Sequence, residues 1–237
     1  MRRDHLTLGN ALLHYRRPGG EPMAQQSLAW PEPLTEKYRP RKIGAFVGLA
    51  KPRKVLSAYV AKPYPAAWLF VGPPGTGKTT MGLALAEELG AELQHIPSQR
   101  CNLESIDNAI RKCWYVARGD GFHLVLCDEA DRMTPTAQLA LLSKLDATAY
   151  PPATIFVFTC NSTEGLEPRF LSRCRVLEFS SYGIGDKAAE LLCSVWDTEV
   201  DTPPETGPPN FRRLVKESSN NIRDALMKLE IELLAAR

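Results

Sequence analysis

Gly72-Pro73-Pro74-Gly75-Thr76-Gly77-Lys78-Thr79 follows directly on the apolar run Ala67-Trp68-Leu69-Phe70-Val71 and opens a helix-forming stretch from Lys78 through Thr80. A short strand, a glycine-rich turn and a helix start aim several backbone N–H groups into one concavity, where a polyphosphate supplies their missing partners. Lys78 would reach the β- and γ-phosphates as a point charge. The Thr79 hydroxyl would ligate a Mg²⁺ bridging them, so Gly77, Lys78 and Thr79 must be contiguous. An ordinary Gly/Pro turn before a helix has the same letters; the strand before and a second motif downstream distinguish the two. That motif is Phe122-His123-Leu124-Val125-Leu126-Cys127-Asp128-Glu129, a buried-strand run ending in two carboxylates. Side chains alternate along a strand, so Asp128 and Glu129 can do different work. Asp128 would hold Mg²⁺ through its water shell, and Glu129 would polarise the water that attacks the γ-phosphate. The two motifs together predict a nucleoside triphosphate and Mg²⁺ site built for hydrolysis.

Around this chemistry stands a chain of 237 residues, 44% hydrophobic, long enough to bury a sizeable α/β core with a second, smaller unit. A net charge of +2 does not force a nucleic-acid partner, so any basic patch must be local. The six cysteines, Cys101, Cys113, Cys127, Cys160, Cys174 and Cys193, include no Cys-x-x-Cys pair, which points to reduced thiols rather than zinc or a disulfide framework. No apolar run approaches bilayer length and the N-terminus leads into no signal segment, so the expectation is a soluble, intracellular protein with no membrane role.

Residues 1–33 carry Arg, Gly and Pro without a sustained period and read as an irregular extension. Helices are expected at Pro52–Ala61, Lys78–Leu89, Leu103–Ala117 and Thr136–Ala147. Strands are expected at 67–71, Glu92–Ile96, 123–127, Thr154–Cys160 and Arg175–Phe179. Strands alternating with helices imply a parallel sheet covered on both faces, with the ligand at the carboxyl ends of the strands. After Ser180 only helices are expected, near Asp186–Trp196, Phe211–Ser218 and Ile222–Ala236, with an irregular connector from Thr202 to Pro209.

Read together, these residues resemble the AAA+ ATPases, and within them the clamp-loader subunits, from about Leu34 to Leu229. Glu36-Lys37-Tyr38-Arg39-Pro40 is similar to the family's adenine-side box and Phe46-Val47-Gly48 to its continuation. Asp128-Glu129-Ala130-Asp131-Arg132-Met133-Thr134 resembles the clamp-loader acidic motif, and Thr159-Cys160-Asn161 the sensor-1 strand end. Leu171-Ser172-Arg173-Cys174 resembles the Ser-Arg-Cys motif, and Ile222-Arg223-Asp224-Ala225-Leu226 the sensor-2 helix. The resemblance implies a P-loop α/β fold, a parallel five-stranded sheet sandwiched by helices over residues 34–180, with a small all-helical lid domain at 181–237. It implies that Tyr38, Arg39, Pro40 and Val47 flank the adenine and that residues 72–80, through Thr80, cradle the phosphates. Asn161 and Arg223 would sense the γ-phosphate, and Arg173 would complete a neighbouring subunit's site.

Arg173 has the permanent charge and forked donors that suit a transferring phosphoryl group, and Arg169, four residues earlier, competes for that role. Taken singly, Arg173 is also readable as a surface arginine, Arg223 as a solvated residue on an amphipathic helix, Asn161 as a strand cap and Tyr38 as a half-buried aromatic. The helix after the acidic motif reads Ala140-Leu141-Leu142-Ser143-Lys144, without the paired arginines of eukaryotic and archaeal loaders, and Leu142 is closer to the bacterial type. Clamp-loader subunits continue into a helical collar that these residues do not reach, so either the chain is a truncated form or its assembly rests on other contacts. The zinc-binding cysteines of bacterial loaders are absent.

The resulting expectation is an ATPase subunit acting in DNA replication. Its partners would be other AAA+ subunits, a sliding clamp and primer-template DNA held by backbone contacts, with Arg100, Arg111 and Lys112 as candidate contacts. It would be cytoplasmic, nucleoid-associated if bacterial or viral and nuclear if eukaryotic. The alternatives are another AAA+ remodeller, such as a recombination motor or transposition helper, and a nucleotide-binding scaffold without turnover. The letters Asp-Glu-Ala-Asp at 128–131 also suit a superfamily 2 helicase, but such enzymes need two motor domains and this chain has room for one.

Overall fold

The computed structural model describes residues 32–117, 121–146, 149–200 and 207–235. The expected extension at 1–33 lies outside the described residues apart from its last two, as do most of the connector and the side chain of Arg100. The elements are α1 (Leu34–Lys37), α2 (Ala50–Ala61), β1 (Ala66–Val71), α3 (Lys78–Glu88), β2 (Glu92–Ile96), α4 (Leu103–Lys112) and β3 (His123–Cys127). They continue with α5 (Pro135–Lys144), β4 (Thr154–Cys160), α6 (Pro168–Leu171), β5 (Arg175–Glu178), α7 (Gly185–Glu199), α8 (Phe211–Glu217) and α9 (Ile222–Ala235).

Five strands form one parallel sheet in the order β2-β3-β4-β1-β5. The run Ile155-Phe156-Val157-Phe158 in β4 is fully buried because its alternating side chains enter two cores. Phe156 and Phe158 join Leu69, Val125, Ile106, Leu141 and Phe170 on the face covered by α4, α5 and α6. Ile155 and Val157 join Phe70, Leu126, Leu56, Met81 and Leu85 on the face covered by α2 and α3. At roughly 1.5–3 kcal/mol per large side chain removed from water, these two layers hold the strand ends in register. A third core, with Leu192, Val195, Trp196, Val215, Leu226 and Leu229, ties α7, α8 and α9 together and takes in Leu34 from α1.

Helix starts follow local chemistry. Asn102 and Asn210 each accept from the backbone N–H three residues on, at 3.0 Å, and Thr134 caps α5 ahead of Pro135. Helix α4 stops at Lys112, five residues short of the expected Ala117. The Cys113 N–H is shared between the Ala109 and Ile110 carbonyls at 3.3 and 3.0 Å, and the chain then turns through Trp114, Tyr115 and Val116, whose bulky side chains disfavour another helical turn. Four of the cysteines are buried and all six are free thiols, with burial pushing Cys113 and Cys160 up to about 11 and Cys174 up to about 12. No helix among the described residues is long and apolar enough to cross a membrane.

Candidate active site

The register decides what meets at the carboxyl edge of the sheet. Val71 pairs with Cys160 and Cys127 with Phe158, so Gly72, Asp128, Thr159 and Asn161 emerge side by side. Between Gly72 and α3 the chain turns back on itself, and Gly77 adopts φ +86° as the N-cap of α3, a conformation that costs a side-chain-bearing residue about 1 kcal/mol or more. Gly72 is required for a different reason. A Cβ there would lie 2.0 Å from the Phe179 carbonyl oxygen, and Phe179 N–H is itself bonded to the Val71 carbonyl at 2.7 Å. Gly72→Ala must therefore push the end of β5 away from β1, and is expected to cost about 1–3 kcal/mol in a denaturation experiment, with weaker nucleotide binding. An unchanged denaturation midpoint would contradict the close approach.

Lys78 is buried at the base of this turn, its Nζ donating to the carbonyls of Gly72 (2.6 Å) and Pro73 (2.9 Å) and to Asn161 Oδ1 (3.0 Å). Burial lowers its pKa, while Cys160, Asp131, Glu129 and Asp128 pull in the opposite direction. Thr76 hydroxyl closes the loop on the Pro73 carbonyl at 2.9 Å, and Pro74 forms its exposed outer corner.

Beside it, Asp128 Oδ1 accepts from the Thr79 hydroxyl at 2.7 Å and from the Thr159 hydroxyl at 3.1 Å, and Oδ2 lies 2.7 Å from His95 Nε2. Burial pushes the Asp128 carboxyl up, but the contacts from His95, Thr79 and Thr159 outweigh it and hold the group below its usual range. Thr159 Oγ1 also accepts the Glu129 N–H at 3.1 Å, so one hydroxyl bridges both acidic residues. Glu129 sits at φ +51°, a left-handed conformation, and its carboxylate pairs with Arg132 at 3.1 Å. Asn161 donates its N–H to Asp131 Oδ2 at 3.3 Å. The Thr79 hydroxyl and Asp128 carboxylate are hard oxygen donors converging on one spot, and among the described residues no cluster of three or more His, Cys, Asp or Glu surrounds a metal position. That donor set fits Mg²⁺, which keeps most of its waters and takes further ligands from phosphates.

A cleft lies between this loop and the C-terminal helices. It is lined by Tyr38, Arg39, Pro40, Phe46 and Val47, by Gly75, Thr76, Gly77 and Thr80 of the loop and α3, and by Leu191, Ile222, Arg223 and Leu226 of α7 and α9. Its apolar walls beside a phosphate-shaped turn suit a purine base. Arg173 and Arg169 do not line it. Arg173 is clasped by Asp146, Nε and Nη2 both 2.8 Å from Oδ1, while Nη1 donates to the Arg169 carbonyl at 3.0 Å. Of the candidate DNA contacts, exposed Arg111 pairs with Asn108 and Lys112 with Gln94 Oε1 at 3.0 Å.

Sequence reasoning missed His95 and Asn221, and placed Thr159 and Phe46 within motifs without giving either a role of its own. The strand register brings His95 and Thr159 to the site, since His95 pairs with Leu126, two residues before Asp128, and Cys127 pairs with Phe158, one residue before Thr159. Phe46 lies under Gly77, and the Asn221 side chain lies against Gly75, each detectable only in three dimensions. Tyr38 carries a second surprise: its hydroxyl donates to Glu199 of α7 at 2.5 Å, and burial raises its pKa.

Residues 68–182 match the family described as ATPase family associated with various cellular activities (AAA). The chain is 32% identical over 215 residues to replication factor C subunit 3 of Blastobotrys adeninivorans, covering 87% of this chain and 60% of that one. It is 37% identical over 153 residues to replication factor C small subunit 1 of Pyrobaculum islandicum, covering 61% and 46%. The chain thus spans about half the length of the curated relatives it matches. Among solved structures, the Thermotoga maritima RuvB Holliday junction branch migration motor superposes with a TM-score of 0.65 at 20% identity, over 81% of this chain and 64% of that one. At that identity the likeness concerns the fold.

Proposed function

We propose, from the premise that this chain belongs to the AAA+ ATPases of the clamp-loader family, that it hydrolyses ATP within an assembly of AAA+ subunits to load a sliding clamp on primer-template DNA. What carries the reading is the convergence at one sheet edge of Lys78 on Asn161 and of Thr79 on Asp128, at 3.0 and 2.7 Å. In this reading residues 34–180 bind nucleotide and residues 181–237 act as a lid. Tyr38, Arg39, Pro40 and Val47 flank the base. The turn from Gly72 to Thr80 wraps the phosphates, and Lys78 exchanges its loop carbonyls for phosphate oxygens. Thr79 and Asp128 would hold Mg²⁺, which when bound would supply positive charge against the phosphates. Glu129 accepts a proton from the attacking water, Asn161 orients that water, and Arg223 reaches the phosphates from α9. Arg173 serves the neighbouring subunit, which fits its absence from the cleft of its own chain.

The test is a steady-state ATPase rate measured against protein concentration, with and without primed DNA and a replication sliding clamp. The rate is expected to rise with concentration and to be stimulated further by DNA and clamp together. A rate indifferent to concentration, DNA and clamp would remove the clamp-loading function and leave an ATPase.

A further inference from the structure

His95 stands at the end of β2, one strand away from the acidic motif, and its type is not demanded by the fold. Its side chain is 38% exposed, against 15% for Asp128, so it does not serve chiefly as core filling. In the parallel register His95 pairs with Leu126, and Asp128, one residue past the end of β3, lies two positions further on, its N–H bonded to the Ile96 carbonyl at 3.0 Å, which makes His95 and Asp128 diagonal neighbours. Nε2 lies 2.7 Å from Asp128 Oδ2, while both threonine hydroxyls take Oδ1.

We propose that His95 is a positioning residue for the metal-holding carboxylate, fixing Asp128 Oδ2 so that Oδ1 stays turned toward Thr79. The inference rests on the assignment of Asp128 to Mg²⁺ made above. Rotation of a carboxylate about its last torsion is soft and roughly two-fold, so anchoring one oxygen fixes the other. Among the hydrogen bonds of the described residues, His95 supplies the one to Oδ2. A carboxylate oxygen accepts, so this contact uses the His95 tautomer that carries its proton on Nε2. The anchor also reaches Glu129: Thr159 joins Asp128 Oδ1 to the Glu129 N–H, so the ends of β2, β3 and β4 are linked through one carboxylate.

The experiment compares wild type, His95→Ala, His95→Gln and Asp128→Asn by equilibrium binding of a fluorescent, non-hydrolysable ATP analogue, titrated with Mg²⁺ and repeated in EDTA, with thermal denaturation alongside. Loss of an outer-shell partner typically weakens a metal site about 10- to 100-fold. His95→Ala is accordingly expected to raise the Mg²⁺ concentration for half-maximal enhancement about tenfold, with affinity in EDTA unchanged within about twofold. His95→Gln, whose Nε2 donor reaches a comparable distance, should recover most of that loss. Three outcomes overturn the proposal: an unaltered Mg²⁺ titration in His95→Ala, equal weakening with and without Mg²⁺, or a folded His95→Gln no better than the alanine variant. Asp128→Asn separates the two levels. If it leaves the Mg²⁺ titration untouched, the metal assignment itself fails; if it abolishes the enhancement while His95→Ala does not, only the role of His95 fails.

Discussion

Glu129→Gln is expected to bind ATP within about twofold of wild type and to lose at least about a hundredfold in turnover, the range in which a positioned general base contributes. Glutamine keeps the length and shape of the side chain but cannot accept a proton from water. The fold should tolerate the exchange. The contact that disappears is the ion pair with Arg132, whose side chains are 71% and 39% exposed, and exposed pairs of that kind contribute little to stability. The Glu129 backbone at φ +51° is no worse for glutamine, and its N–H remains bonded to Thr159. None of the groups proposed to hold the nucleotide is altered, because Lys78 leans on Gly72, Pro73 and Asn161, and Asp128 on His95, Thr79 and Thr159. Equilibrium binding of a fluorescent nucleotide, paired with phosphate release, checks both halves. Turnover at the wild-type rate would move the base elsewhere in the site, and loss of binding would make Glu129 part of the nucleotide cradle.

Much of this architecture is written locally. β3 and β4 begin and end where buried apolar runs meet turn chemistry, and β2 alternates polar and apolar residues between turns, so the expected bounds of all three coincide with the observed ones. The phosphate loop is equally legible, because its glycines answer two needs that recur wherever a backbone must wrap an anion: left-handed φ at Gly77 and bare space at Gly72. What was not legible depends on partners distant in sequence. The end of α4 is set by the Cys113 N–H, shared between the Ala109 and Ile110 carbonyls of its last turn, where helical periodicity alone would have run on to Ala117. α1 and α6, with four residues each, are too short for periodicity to register. Within the site, the ends of individual strands are readable but their mutual register is not, and the register brings His95 and Thr159 to Asp128. Tyr38 illustrates the same limit. Its neighbours Arg39 and Pro40 announce a recognisable segment, but only the packed structure reveals a hydroxyl anchored on Glu199, tying the wall of the cleft to α7.

Arg173→Ala is expected to leave a folded, nucleotide-binding protein whose ATPase rate in the assembled state falls about a thousandfold, the low end of what an arginine supplied across an interface contributes. The cost to the isolated chain should be small. The Asp146 side chain is half exposed and Arg173 is 30% exposed, so removing the guanidinium leaves a carboxylate that water can solvate. That same ion pair makes the assembly step informative. Held by Asp146 and by the Arg169 carbonyl, the guanidinium would, in the proposed role, exchange these partners for a neighbour's phosphoryl oxygens. Such an exchange would be favourable only where negative charge accumulates on the transferring group, so the arginine is expected to act in the transition state more than in nucleotide binding. Mixing supplies the decisive readout. Arg173→Ala has an intact phosphate loop but no finger to offer, and Lys78→Ala has a finger but no working loop; each is expected to be nearly inactive alone. In a mixed assembly, a Lys78→Ala subunit beside an Arg173→Ala subunit restores one complete site, and the recovered rate should grow with total protein concentration. If mixing recovers nothing under conditions where the two variants demonstrably co-assemble, Arg173 does not act across an interface. Repeating the mixture with Arg169→Ala in place of Arg173→Ala then tests the neighbouring arginine for the same role.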